Sequence, residues 1–419
     1  MLERALNVIP LGSQTFSKSI THFPEGVSPH FATHGEGSRL WDVDGNEYLD
    51  FVSGLASVLL GYRDTDVDAA VRAQIESGVT FSLSHELEIE VAERLTRLIP
   101  CAEQVRFGKN GSDATSAAVR LARAKTGRDR IAVCGYHGWQ DWYIGSTTRD
   151  LGVPEAVKAL THPFPYNDLE ALDQLLASHA GDFAAVIMEP MNTTLPQEGY
   201  LQGVLDITHR NGALLILDET ITGFRFHPGG AQSLFDVTPD LATFGKGLGN
   251  GYPISAVVGR RDIMQLMEEI FFSGTFGGET VSLAAALAVL DRVERDDIPA
   301  ALAARGTVLC NGIGKIIESN DLGDLFSVQG HPSWSFLNVS DATETSVEAI
   351  RTLLLQELFG EGVLFLGSHN LNAAHSEEDI EKLIAVYADV LPRLAELARK
   401  GSLVEELRCE PLTPLFRVR

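Results

Sequence analysis

Short apolar runs alternate with amphipathic stretches through the middle of the chain. Residues 85–99 (HELEIEVAERLTRLI) place Leu87, Val91, Leu95 and Leu98 on one face at helical spacing. Residues 105–107 follow as a short strand, and 112–125, rich in Ala and Arg, read as a helix. A strand over 130–134, a helix over 168–178, a strand over 183–189 (FAAVIME) and a helix over 201–210 continue the alternation. Residues 214–219 (LLILDE), 241–244 and 254–259 (ISAVVG) give three more strands. Strands that are apolar throughout are buried on both faces, and the helices between them supply the connections that parallel strands need. The predicted fold class is α/β, with a mostly parallel central sheet covered by helices.

The two ends read differently. Residues 38–50 (SRLWDVDGNEYLD) set Asp44-Gly45 between two alternating runs, a hairpin signal. Beyond about residue 300 helices mix with short strands. One helix spans 346–359, and another begins at Ser376, where Ser376 and Asp379 form a variant capping box. We therefore expect an N-terminal segment over 1–59, a large domain over 60–295 and a C-terminal portion over 296–419. The two ends together would form a smaller α+β domain. A chain of 419 residues has room for both.

Composition narrows the partners. The 33 basic and 57 acidic residues leave a formal charge of −24, which repels nucleic acid and anionic membrane surfaces. Apolar runs such as 183–188 and 213–217 fall far below the ~20 residues of a membrane helix. Cys101, Cys134, Cys310 and Cys409 stand singly with no CxxC pair, and no histidines fall at HExxH spacing. With no basic, apolar leader at the start, the expected setting is cytoplasmic and soluble, with no metal centre.

Candidate chemistry collects at four strand ends, where open α/β sheets bind ligands. Lys109-Asn110-Gly111-Ser112-Asp113 precedes a helix, so its amides and the Ser112 hydroxyl suit a phosphate, or Ser112 simply caps the helix. Tyr136-His137-Gly138-Trp139 puts aromatics after a strand, free to stack on a flat heterocycle or on the surface. Asp218 ends an apolar strand, where a carboxylate needs a cation, a metal, a protonated ring nitrogen or a structural ion pair; Glu189 is a weaker parallel. Lys246 lies among Gly245, Gly247, Gly249 and Gly251. That run matches neither a P-loop nor GxGxxG, which leaves a lysine nucleophile that forms a Schiff base. Arg63 and Arg225 suit a substrate carboxylate, although surface ion pairing is the commoner fate of such arginines.

Phosphate donors, a stacking aromatic, a carboxylate for a pyridinium nitrogen and a Schiff-base lysine are together what pyridoxal phosphate (PLP) requires. Here the chain resembles the class III (subgroup III) aminotransferases of fold type I, nearest their glutamate-1-semialdehyde aminomutase-like branch. The resemblance runs through GVSP (26–29), WDVDGNEYLDF (41–51), GSDATSAAVRLARAKTGR (111–128), YHGW, MEP (188–190), LDETITGFR (217–225), FGKGLGNGYPISAVVGR (244–260) and SGTFGGET (273–280). Lys246 follows Asp218 by 28 residues (246 − 218).

The resemblance implies that Lys246 bonds the cofactor and then shuttles a proton, while Asp218 pairs with the ring nitrogen. It implies that Gly111 and Ser112 hold the phosphate and that Tyr136 stacks on the ring, with His137 beside it. Glu189 would lie near the ring's phenolic side or the substrate. Thr275 would reach the phosphate in a neighbouring subunit, making a homodimer with shared active sites. Thr220 stands where Val or Ile usually packs under the ring, so that face is more polar, and Trp139 replaces a His. The segment 144–167 is short for the mutase loop. These departures weigh against the aminomutase outcome. Glu279 either contacts a substrate hydroxyl or amine, or caps the helix starting near Thr280; capping is favoured. The expected activity is a transaminase moving an amino group from an amino acid, L-glutamate first, to an aldehyde or ketone, a sugar-like one among them. Arg63, Trp139 and Glu279 are the substrate candidates. The rival outcomes are an intramolecular aminomutase or PLP epimerase, a nucleotide-dependent oxidoreductase, and a catalytically silent binding protein.

Overall fold

The computed structural model describes residues 1–413. These divide into two compact units. One contains Ser57–Leu59 and Asp64–Ala300; the other contains Met1–Ala56, Leu60–Arg63 and residues 301–413.

Among the described residues the first unit holds a seven-stranded sheet. Its order is Gln104–Gly108, Ser255–Gly259, Leu241–Phe244, Leu214–Asp218, Phe183–Met188, Arg130–Cys134, Thr161–Pro163. The pairings from Leu241–Phe244 across to Thr161–Pro163 are parallel. Ser255–Gly259 runs antiparallel to both neighbours, so it alone is reversed and the other six strands share one direction.

Both faces are covered, and side chains alternate between them as the strand period demands. Ala185 and Ile187 face the helix Gly111–Thr126, which offers Ala114, Ala118, Leu121 and Ala122. Val186 and Met188 face the helices Leu169–Ser178 and Tyr200–Arg210, through Leu172, Leu176 and Val204. The alanine-rich face of Gly111–Thr126 lets that helix lie close to the sheet. Its N-cap is Asn110, not Ser112: Asn110 and Asp113 form a reciprocal capping box, and Ser112 lies one position inside the helix, buried.

The second unit joins the chain's two ends. Ala32–Glu36, Arg39–Asp42 and Glu47–Asp50 form an antiparallel meander, with the Asp44-Gly45 turn in its second hairpin, and Val363–Leu364 adds in parallel beside Glu47–Asp50. A separate antiparallel sheet holds Phe326–His331, Trp334–Val339 and Ser368–Asn370. The helix Glu377–Lys400 starts with Ser376 as N-cap and Asp379 closing the box, and Val347–Gly360 starts at Ser346. No described helix is long and apolar enough to cross a membrane.

Candidate active site

Because six strands share one direction, their carboxyl ends lie along one edge of the sheet, and the segments leaving them carry the candidate residues. Asp218 is the last residue of its strand and 5% exposed. Its Oδ1 accepts from the Thr220 hydroxyl at 2.6 Å, the Thr220 amide at 3.1 Å and the Thr243 hydroxyl at 2.9 Å. Its Oδ2 accepts from His137 Nδ1 at 2.8 Å. Burial alone would raise the carboxyl, but the donors from His137, Thr220 and Thr243 overcome it and hold Asp218 below the usual range. A carboxylate has about four acceptor positions, two on each oxygen. Among the described residues Oδ2 meets only His137, so one position there stays open.

His137 is buried, packed edge-on against Tyr143 and stacked with Trp142. Its ring is therefore locked with Nδ1 on Asp218, and its Nε2 has no hydrogen-bond partner among the described residues. Tyr136, next to it, is half exposed. The Tyr136 amide donates to Glu189 Oε2 at 3.1 Å. This contact requires glycine at 135: its φ is +107°, and a Cβ there would lie 2.4 Å from Glu189 Oε2. Burial pushes the Glu189 carboxyl up to about 7, with Asp218 adding to it while His137, the Tyr136 amide and Lys246 oppose.

Lys246 opens a short 3-10 turn after Leu241–Phe244, with φ +42°. A left-handed backbone is uncommon at a residue other than glycine. Burial lowers its ammonium below the ordinary value, and the neighbouring Glu189 and Asp218 partly restore it.

The helix Gly111–Thr126 brings its N-terminus to the same edge. The Asp113 carboxylate takes the amides of Lys109 and Asn110, leaving those of Gly111 and Ser112 pointing out of the first turn. Ser112 Oγ accepts from the Trp139 amide at 3.3 Å. The loop approaches so closely at Gly138, φ +104°, that a Cβ there would lie 2.2 Å from Ser112 Oγ.

Asp218, His137, Thr220, Glu189, Tyr136, Gly111, Ser112 and Lys246 are thus brought together within one unit. Others are not. Glu279 is the N-cap of Thr280–Arg295, accepting from the amides of Val281 and Ser282, and it pairs with Lys109 at 2.9 Å. It thus caps the helix, the favoured of its two readings. The Trp139 side chain is 64% exposed, and Thr275 lies in an exposed turn. Arg63 belongs to the other unit, where its exposed guanidinium pairs with Glu36 at 3.3 Å. Arg225 departs from the surface pairing expected of it: it is 1% exposed, and burial lowers its guanidinium to about 10. Thr243 was not singled out by its sequence context. It sits directly opposite Asp218 in the sheet register, a relation that only strand pairing reveals. No cluster able to hold a metal ion occurs among the described residues.

Comparison with known proteins gives a consistent picture. The aminotransferase class-III family model matches residues 22–374. The 3-aminobutyryl-CoA aminotransferase of Cloacimonas acidaminovorans is 34% identical over 407 residues, covering 95% of this chain and 97% of that one. The glutamate-1-semialdehyde 2,1-aminomutase of Roseiflexus castenholzii is 35% identical over 406 residues, covering 90% and 93%. An omega-transaminase from Sphaerobacter thermophilus has a similar structure, with a TM-score of 0.84 and 29% identity over 94% of this chain and 97% of that one.

Proposed function

Because the chain belongs to the class III aminotransferase family, whose members use PLP, we propose that the strand-end cluster holds that cofactor and works on an amino acid donor, L-glutamate first, and an aldehyde or ketone acceptor. The observation that carries this reading is the Asp218 clamp: a buried carboxylate kept ionised by His137, Thr220 and Thr243, with one acceptor position left over beside Lys246. The residues fit the group. The open position on Asp218 Oδ2 suits a protonated ring nitrogen, the Gly111 and Ser112 amides suit a phosphate, and Lys246 supplies a primary amine.

PLP, when bound, supplies an electron-accepting ring that stabilises negative charge at the carbon bearing the amine. Asp218 stays ionised and so favours a proton on the ring nitrogen. Lys246 Nζ, pushed toward its neutral form by burial, takes a proton from the substrate carbon and returns it. Gly111 and Ser112 would hold the phosphate, Tyr136 would pack against the ring, and His137 fixes Asp218. Glu189 would lie near the phenolic side or the substrate, and Trp139 would border the substrate. Thr275, exposed between Phe271 at 82% and Phe276 at 59%, would reach the phosphate of a partner subunit in a homodimer. A cytoplasmic setting belongs to the same proposal; the buried, unpaired thiols of Cys101 and Cys134 support it, and cell fractionation tests it.

The test is a half-reaction screen. Purified protein mixed with L-glutamate and other amine donors should lose the PLP absorbance and release one keto acid per site. Identity to the Roseiflexus enzyme favours a second outcome, internal exchange, in which glutamate-1-semialdehyde turns over with no external donor. Protein that binds no PLP and releases no keto acid with any donor would overturn the proposal.

A further inference from the structure

Thr220 touches all three motifs of the site. Its hydroxyl and amide both donate to Asp218 Oδ1, at 2.6 and 3.1 Å. Its methyl carbon faces the other two: a Cβ built at Gly111 would lie 3.1 Å from Thr220 Cγ2, and one built at Gly245 would lie 3.4 Å from it. One half-buried side chain therefore bridges the ring-nitrogen carboxylate, the start of the phosphate-binding helix and the glycine before Lys246. Thr243, fully buried on the next strand, donates its hydroxyl to the same carboxylate oxygen.

We propose that Thr220 is a positioning residue whose hydroxyl, together with that of Thr243, fixes the Asp218 carboxylate, aims its open acceptor position and weakens its pull on the ring-nitrogen proton. The inference rests on the PLP reading above. Each donor to an ionised carboxylate disperses its charge and makes it a poorer acceptor for the next. Three donors on Oδ1 and His137 on Oδ2 also hold the carboxylate plane in one orientation. Asp218 lies below the usual carboxylate range despite its burial, in keeping with this. The charged and titratable groups around it are His137, Glu189, Lys246, Tyr136 and Tyr143, drawn from the segments after three different strands. Substitution at 220 alters none of them.

Valine matches threonine in shape but lacks the hydroxyl, and serine keeps the hydroxyl but lacks the methyl. The test loads wild type, Thr220→Val and Thr220→Ser with PLP labelled with nitrogen-15 in the ring and records the resonance of the ring N–H proton. A stronger acceptor draws that proton further, so Thr220→Val should move the resonance downfield, and Thr220→Ser should return it to the wild-type position. Thr243→Val removes the other hydroxyl and should move it the same way. Circular dichroism and bound-cofactor stoichiometry confirm that each variant is folded and loaded. A wild-type protein that takes up no PLP defeats the functional reading. Loaded valine variants with the wild-type resonance, or a serine variant that behaves like valine, defeat the role of Thr220 alone.

Discussion

Asp218 and Glu189 leave adjacent parallel strands, yet their surroundings drive them apart. Asp218 is surrounded by donors and held low, whereas Glu189 takes the Tyr136 amide and is driven by burial to about 7. Pairs split in this way mark acid–base assignments. The split has a consequence for stability. Glu189 in the fold keeps its proton up to about 7, while the unfolded chain gives it up near 4.5. Between those values the native state binds the extra proton, so this group's contribution to stability falls as pH rises. Asp218 acts in the opposite sense: its contribution is present above the unfolded value and is lost as pH falls below it. We expect Glu189→Gln to flatten the decline in urea midpoint of cofactor-free protein between about pH 5 and 7. A variant that declines as steeply as wild type would show that Glu189 titrates normally. Asp218 and Lys246 were legible because a carboxylate ending an apolar strand and a lysine among glycines both violate local expectation. Thr243 was not, because a lone hydroxyl in an apolar strand is unremarkable until pairing sets it against Asp218.

At the scale of elements, the helix Thr280–Arg295 begins where Glu279 takes the amides of Val281 and Ser282 and the Lys109 ammonium. Lys109 is followed by the N-cap Asn110, so one side chain ties two helix starts together. Glu279→Ala should cost about 1–2 kcal/mol, most of it from the lost cap. It should lower Tm by a few degrees in a thermal melt, with Lys109→Met losing less. An unchanged Tm for Glu279→Ala would mean that the cap contributes nothing. The helices were legible from their 3.6-residue period, and Ser346 and Ser376 start theirs as read. The choice of cap at this helix start, which the sequence left open at Ser112, has a physical origin. Asn110 and Ser112 are both good caps, and the choice falls to Asn110 because Asp113 completes its box while Ser112 turns toward Gly138. The reversed direction of Ser255–Gly259 was also hidden. A strand covered on both faces reads as the same apolar run whichever way it points.

At the scale of the molecule, the charge of −24 disfavours nucleic acid and anionic membrane surfaces, and the partners we propose are small molecules and a second copy of the chain. If Thr275 completes the site of a partner, cofactor and dimer are linked: each stabilises the other by mass action. Dilution followed by sedimentation should then release PLP and subunits together, and Thr275→Ala should speed both losses; a fully loaded, active monomer would contradict a shared site. Beneath all of this lies the claim that Lys246 carries the cofactor in a site built on Asp218. The most direct measurement is borohydride reduction of the PLP-loaded protein followed by peptide mass spectrometry. The peptide containing Lys246 should carry the phosphopyridoxyl mass, and Lys246→Ala should retain PLP only in exchangeable form. A label on any other lysine, or on none, would contradict the claim.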